Sequence, residues 1–80
     1  MKKRHYLVKF RREAGLTQVD AAKKLKLTRP YYVSIETANA QPSIELWLKI
    51  QRAFNIHDDD MWKVITHLKE EDFTNGKEKN

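Results

Sequence analysis

The fold of this chain is decided by residues 17–36, which read TQVDAAKKLKLTRPYYVSIE. Two short segments in this stretch each follow a threonine, a residue type that caps helix N-termini. Thr17, with Asp20 three residues later, forms a variant of the capping box. Thr28 precedes Pro30, which the first turn of a helix tolerates. The stretch therefore predicts two helices joined by a three-residue turn.

Apolar residues on both sides of this helix pair recur at spacings of three and four, and no stretch shows sustained strand-like alternation. The pattern predicts a first helix over residues 5–14, a fourth from the Ser43 cap to Asn55, and a fifth capped by His57 or Asp58. The fold class predicted is all-α, with five short helices. Its expected inward-facing residues are Leu7, Phe10, Ala14, Leu16, Ala21, Ala22, Leu25, Tyr32, Ile35, Ile44, Trp47, Leu48, Ile50, Ala53, Phe54 and Ile56.

Length and composition fit one small domain. Eighty residues with 40% hydrophobic content leave no room for a second core, and the absence of cysteine excludes disulfides, Cys-ligated zinc and thiol catalysis. We predict a basic N-terminal arm over residues 1–4, the helical domain over 5–69 and a disordered polar tail over 70–80. The basic start precedes no long apolar run, so we expect no signal peptide, no contact with membrane and a cytoplasmic location.

The net charge of +5 is unevenly distributed along the chain. Residues 1–29 carry ten basic and two acidic side chains, a local net charge of +8, whereas the other 51 residues carry six basic and nine acidic ones, a net charge of −3. A field concentrated on one part of a small domain steers a polyanion to that part. The alternative is that these side chains form a solvated face.

Side chains suited to catalysis are few. The three histidines, His5, His57 and His67, have no acid–base or nucleophilic partner at a suitable spacing. The acidic run after His57 is explained by capping of a helix start, because successive residues there diverge around the helix axis. We therefore expect no enzyme activity, no cofactor, no metal site and no small-molecule ligand.

The predicted third helix carries unusual side chains on its outer face. Tyr32 and Ile35 point inward, which leaves Arg29, Tyr31, Val33, Ser34 and Thr37 toward solvent. This face offers hydrogen-bonding groups in place of the usual mixture of Glu and Lys. Two short helices with such a second helix meet the physical requirement for reading a DNA major groove.

Residues 7–62 resemble the phage-repressor and Cro type of helix-turn-helix domain, the XRE family. The resemblance rests on residues 11–18 (RREAGLTQ), on Ala22 and Leu25, on Ile35 with Glu36, and on Pro42 with Ser43. It implies a five-helix repressor-like DNA-binding domain whose second and third helices form the helix-turn-helix. It also implies a sequence-specific regulator of transcription on double-stranded DNA, a bacterial or phage repressor that reads the major groove with residues 28–37.

The resemblance further assigns roles to individual residues. It places Arg29, Pro30, Tyr31 and Ser34 against base edges, although Pro30 is equally explained by helix initiation. It places Thr17, Gln18, Asn39 and Gln41 against phosphates, with an ordinary exposed glutamine as the alternative for Gln18. It also implies a partly buried ion pair between Arg11 and Glu36 that orients the third helix, unless Arg11 faces phosphate instead.

Three departures from the family pattern bear on these roles. Lys26 and Ala38 stand where glycine is common, so Lys26 either adopts a left-handed conformation at a cost of about 1 kcal/mol or shifts the turn between the second and third helices. The loop over residues 39–41 has no Lys or Arg where many family members carry them. Lys2, Lys3 and Arg4 either compensate by following the DNA or form a disordered basic arm.

The last helix has apolar residues beyond what a minimal five-helix core requires, namely Trp62, Ile65 and Leu68, with Val64 as a further candidate. Such a surplus predicts a homodimer contact, which would give two DNA half-sites, unless these residues cover the core of the monomer. The competing class of function is a helix-turn-helix scaffold used as a protein-interaction module, with weak or nonspecific DNA binding.

Overall fold

The computed structural model describes residues 3–66, which form five helices: α1 (His5–Glu13), α2 (Gln18–Leu25), α3 (Arg29–Glu36), α4 (Ile44–Phe54) and α5 (Met61–Ile65). A single 3₁₀ turn, Asp58–Asp60, leads into α5, and the described part of the chain contains no strand. The predicted all-α class is confirmed. Predictions that concern Lys2, His67, Leu68 and the 70–80 tail lie outside the described residues. Within residues 3–66, no helix has the length and apolar character needed to cross a membrane.

Caps set the limits of the central helix pair where the sequence predicted them. The Thr17 hydroxyl accepts a hydrogen bond from the Asp20 amide, and the Asp20 carboxylate accepts one from the Thr17 amide, both at 3.1 Å. The Thr28 hydroxyl accepts from the Tyr31 amide at 3.3 Å. Lys26, between the two helices, keeps the turn by adopting the left-handed conformation, with φ of 60°.

The loops that flank this pair use the same backbone conformation. Gly15 ends the α1 segment with φ of 78°, and Asn55 ends α4 with φ of 59°, as the sequence predicted. Ala38, which follows α3, has φ of 63°. Alanine and lysine are strained in this region, so the two departures from glycine are accommodated by strain and not by a different turn.

One apolar core lies between the five helices. It consists of Leu7, Ala21, Ala22, Leu25, Tyr32, Ile35, Trp47, Ile50, Phe54, Ile56 and Val64. Tyr32 and Phe54 meet edge to face, with ring centroids 6.3 Å apart. Packing of α2 against both α3 and α4 holds the helix pair on this core, so that the opposite side of α3 faces outward.

Three predictions about apolar residues are wrong. Ala14 is exposed because α1 ends at Glu13, and Ile44 and Leu48 are 78% and 49% exposed because no described element covers that side of α4. For Val64 the sequence left two alternatives, a dimer contact or the monomer core, and the structure places it in the core, fully buried.

The prediction that Arg4 belongs to an N-terminal arm is also wrong. Its side chain is packed inside the domain, only 2% exposed, and its backbone amide donates to the Glu36 carbonyl at 2.7 Å. The carbonyl oxygens at the end of a helix have no partner within that helix, so an arginine can bind there. Lys3, the preceding residue, is exposed.

Candidate nucleic-acid interface

The first turn of α3 projects three exposed side chains, those of Arg29, Pro30 and Tyr31. Ser34 follows one turn later and is partly exposed; its hydroxyl donates to the Pro30 carbonyl at 3.0 Å. In this arrangement the Ser34 oxygen presents acceptor lone pairs outward, whereas the Arg29 guanidinium has only donors. The face therefore carries donors and acceptors at separate positions.

The N-terminus of α2 lies beside this face. Thr17 is occupied in the capping box, and the Asp20 carboxylate that completes the box has its pKa held below the usual range, first by the hydrogen bond from the Thr17 amide. Gln18 is turned toward the protein, since its Nε2 donates to Glu36 Oε1 at 3.0 Å. The sequence offered two interpretations of Gln18, a phosphate contact or an ordinary exposed residue; the structure places it against a buried carboxylate.

We call the residues around this carboxylate, Arg11, Gln18, Tyr32 and Glu36, the Glu36 cluster. Glu36 Oε2 lies 2.5 Å from Arg11 Nε and accepts from the Tyr32 hydroxyl at 2.6 Å. Burial, with a further contribution from Glu36, raises the pKa of Tyr32 far above its ordinary value, so the phenol remains a donor. The structure thus brings Arg11 and Glu36 together and joins α1, α2 and α3 through one carboxylate.

An open groove of about 820 Å³ runs between α1, α2 and α3 over the Glu36 cluster. Four cationic side chains, those of Lys3, Arg11, Arg12 and Arg29, line it together with Thr17 and Gln18. Its one carboxylate is that of Glu36, which is buried and already paired with Arg11. The groove is therefore positively charged and suits an anionic ligand. Arg12 could not be singled out from the sequence, because its position in the groove depends on how α1 packs against α3.

The loop after α3 is neutral, and its polar side chains are partly engaged. Asn39 Nδ2 donates to the Thr37 hydroxyl at 3.1 Å, and Gln41 Oε1 accepts from Arg4 Nη2. Both side chains are exposed. The structure places them next to the C-terminal end of α3, where Thr37 caps the helix. They lie apart in the chain from the capped start of α2, so the four predicted phosphate contacts fall in two groups.

Of the residues predicted for a homodimer contact, Trp62 is 53% exposed and Ile65 is 38% exposed, both on α5. Leu68 lies outside the described residues. His57 accepts from the Asp59 amide and caps the 3₁₀ turn that leads into α5, whereas α5 itself follows Asp60 without a side-chain cap. Residues 3–66 contain no group of histidines and carboxylates arranged to hold a metal ion.

Comparisons with known proteins agree with this geometry. The model of the helix-turn-helix family matches residues 7–61. An uncharacterized HTH-type transcriptional regulator of Archaeoglobus fulgidus is 38% identical over 53 residues, which cover 66% of this chain and 76% of that protein. A second one, from Methanocaldococcus jannaschii, is 36% identical over 53 residues, covering 66% of this chain and 80% of that protein. No solved structure gives a significant match.

Proposed function

The chain belongs to the helix-turn-helix family of DNA-binding transcriptional regulators, and from this premise we propose that it represses transcription by binding a specific double-stranded DNA site with α3 in the major groove. The observation that carries the proposal is the first turn of α3. Its three exposed side chains project beside a groove lined by Lys3, Arg12 and Arg29.

Base recognition is assigned to four side chains of α3. The fork of Arg29 matches O6 and N7 of guanine, and the Ser34 oxygen can accept from an amino group of adenine or cytosine. Tyr31 offers an apolar contact to a thymine methyl group or a hydroxyl to a phosphate, and Pro30 offers shape and an apolar surface. Each good bidentate pair discriminates by about 1–3 kcal/mol against a wrong base.

Phosphate contacts come from the α2 cap and the loop after α3. The first-turn amides of α2, next to Thr17 and Gln18, lie at the positive end of a helix dipole. Asn39 and Gln41 are the neutral donors of the loop. Because the Glu36 cluster fixes α3 relative to α2, the two groups of contacts have a fixed spacing, which sets the register of α3 on the duplex.

The deciding experiment is selection of bound duplexes from a random DNA pool. We expect one enriched site, whose binding weakens steeply with salt because phosphate contacts release counterions. Arg29→Ala should relax the preference at one base position and lower affinity by about 1–3 kcal/mol. Arg52→Ala, which removes the same charge from the exposed side of α4, is the matched control and should leave the preference unchanged.

A homodimer is part of the proposal, with Trp62 and Ile65 at its contact. Exposed apolar side chains on the last described helix support it, because a dimer would cover them. Two copies related by a twofold axis read half-sites about one helical turn apart. An enriched site with twofold symmetry, and a sedimentation shift to monomer in Trp62→Glu, are the expected results.

The second candidate function is a protein-interaction module. The exposure of Ile44 and Leu48, four residues apart on one face of α4, favours it, because a partner could pack there. The DNA selection decides between the two functions: no enriched sequence, together with binding that is insensitive to Arg29→Ala, would leave the interaction module as the function. Salt-sensitive binding without sequence preference would instead indicate a nonspecific DNA-binding protein.

A further inference from the structure

The most heavily bonded side chain in the described structure is that of Arg4. Its Nε donates to the Ile65 carbonyl at 2.8 Å, and its Nη1 donates to the carbonyls of Ile35 and Ala40 at 2.6 and 3.0 Å. Its Nη2 donates to Gln41 Oε1. The guanidinium also lies over the Trp47 ring, 5.2 Å from the ring centroid. Arg4 thus joins the ends of α3 and α5 to the loop that follows α3.

Every one of these acceptors within residues 3–66 is a neutral oxygen. A buried cation that is held by carbonyl dipoles and a ring face is stabilised without a counter-charge, and no carboxylate of residues 3–66 pairs with Arg4. Burial lowers the pKa of Arg4 from its ordinary value, yet an arginine in a protein stays protonated. The loop over residues 39–41 has no Lys or Arg of its own, and the buried guanidinium of Arg4 therefore supplies a positive charge next to it.

The contact with Arg4 also decides which way the Gln41 amide points. A guanidinium has five donors and no acceptor, so only the oxygen of the amide can face it. The nitrogen of the Gln41 amide therefore points away from Arg4, and it makes no hydrogen bond with another described residue. Since Gln41 is exposed, this NH₂ is directed away from Arg4 as a donor. An amide whose oxygen is bound by a cation is polarised and becomes a stronger donor at its nitrogen.

We propose that Arg4 is a positioning residue that locks the Gln41 amide with its NH₂ outward, so that Gln41 donates to one DNA phosphate beside the C-terminal end of α3. This inference rests on the proposed function and adds to it a residue that does not touch DNA. It accounts for a DNA-facing loop without Lys or Arg. The loop supplies the NH₂ donor of Gln41, and the buried Arg4 orients this donor and adds the electrostatic attraction of its positive charge.

The test is phosphate ethylation interference on the DNA site selected by the wild-type protein, measured with variants of Gln41, Arg4 and Asn39. Gln41→Ala should abolish interference at one phosphate per half-site and weaken binding about tenfold, as loss of a charge-assisted hydrogen bond does. Arg4→Lys keeps the charge but loses the forked geometry, and it should abolish interference at the same phosphate while the base preference remains. Asn39→Ala, in the same loop, is the control and should leave that phosphate unaffected.

Gln41→Glu removes the outward NH₂ group and keeps the hydrogen bond to Arg4, so it tests the phosphate contact without disturbing the fold. Glutamate still accepts from Arg4, so the domain should melt at the wild-type temperature or above, but the outward NH₂ becomes a carboxylate oxygen and the same interference should disappear. Asn39→Asp controls for the added charge, and it should weaken binding without removing that phosphate from the pattern.

The outcomes distinguish failure of the proposed function from failure of the inference about Arg4 and Gln41. If no sequence is enriched with the wild-type protein, the proposed function fails and this inference fails with it. If a site is selected but Gln41→Ala gives the wild-type pattern, the Gln41 phosphate contact and this inference are overturned, while specific DNA binding stands. If Gln41→Ala removes the contact but a folded Arg4→Lys keeps it, only this inference is overturned. Retention of the phosphate contact in Gln41→Glu also overturns this inference. This result is decisive even if Arg4→Lys does not fold, because Gln41→Glu keeps the Arg4 side chain and its hydrogen bond.

Discussion

The two ends of α3 are built differently. At its N-terminal end, Arg29, Pro30 and Tyr31 are exposed, and the side-chain bonds to the backbone there are local ones, the Thr28 cap and the Ser34 hydroxyl on the Pro30 carbonyl. At its C-terminal end, Glu36 is 2% exposed and binds three side chains, while Arg4 binds the Ile35 and Glu36 carbonyls from the other side. One end of the helix is free to meet a partner, and the other is fixed to α1 and α2.

This difference separates stability from recognition along a helix of eight residues. A short helix has little stability of its own, so its direction must come from tertiary contacts. The buried polar contacts at the C-terminal end provide that direction, since a carboxylate with three donors tolerates only a narrow range of positions. Substitutions at the C-terminal end should therefore act on stability, and substitutions at the N-terminal end on DNA binding.

The largest effect is expected for Glu36→Ala. The change leaves the Arg11 guanidinium buried without a counter-charge and removes the acceptor of both Tyr32 and Gln18, so we expect a loss of about 3–5 kcal/mol in the free energy of unfolding. Urea denaturation measures it. Glu13→Ala, on the exposed side of α1, is the control and should stay within about 0.5 kcal/mol of the wild type. Equal losses in the two variants would show that the cluster does not fix α3.

The adjacent tyrosines give a smaller effect and a closer control. Tyr32→Phe removes one hydroxyl that donates to Glu36 Oε2, and we expect it to cost about 1.5–3 kcal/mol because the acceptor is charged and buried. Tyr31→Phe removes the same atom from an exposed ring and should leave stability within about 0.5 kcal/mol. Its DNA affinity should fall if the Tyr31 hydroxyl meets a phosphate, and should stay at the wild-type value if the ring meets a thymine methyl group. A reversal of these two results would break the distinction between the ends.

The exposed end was accessible to sequence reasoning, whereas much of the buried end was not. Thr17, Thr28 and Asn55 act through their own neighbouring backbone, so local patterns located the helix limits and the face of α3. In the sequence, Arg4 resembled part of a solvated basic arm. Three of its partners are backbone carbonyls, which every residue has, so the sequence carries no pattern that predicts these contacts. Gln18 could be placed against Glu36 only once α2 and α3 were oriented.

The errors on α4, and the choice left open for Val64 on α5, have another cause. Periodicity shows that a residue can face a neighbour, but not that a neighbour is present. Ile44 and Leu48 match the helical period, yet no described element packs on that side. Val64 lies between the predicted dimer residues in sequence, and it fills the core because α5 packs on α1.

A smaller effect, opposite in sign, is expected just past the fixed end of α3. Ala38 has φ of 63°, a conformation that costs an alanine about 1 kcal/mol or more and costs glycine nothing. Ala38→Gly should raise the free energy of unfolding by somewhat less than that, about 0.5 kcal/mol, because the unfolded chain becomes more flexible. Thermal unfolding checks it, and Ala40→Gly in the same loop is the control that should not stabilise. Destabilisation by Ala38→Gly would mean that its methyl group contributes packing at this end.

The smallest effect concerns the exposed cap of α2, beside the free end of α3. Hydrogen bonds from Thr17 lower the pKa of Asp20 in the folded protein. The ionised carboxylate therefore stabilises the fold at pH values above its ordinary pKa of 3.8, and this contribution is lost as the pH falls through the lowered value. Asp20→Asn resembles the protonated form, so its melting temperature should lie slightly below that of the wild type at pH 7 and converge with it in acid. If the melting temperatures of the wild type and of Asp20→Asn differ by the same amount from pH 2 to pH 7, the charge of Asp20 contributes no stability. The exposed side of the domain would then depend on the buried contacts alone.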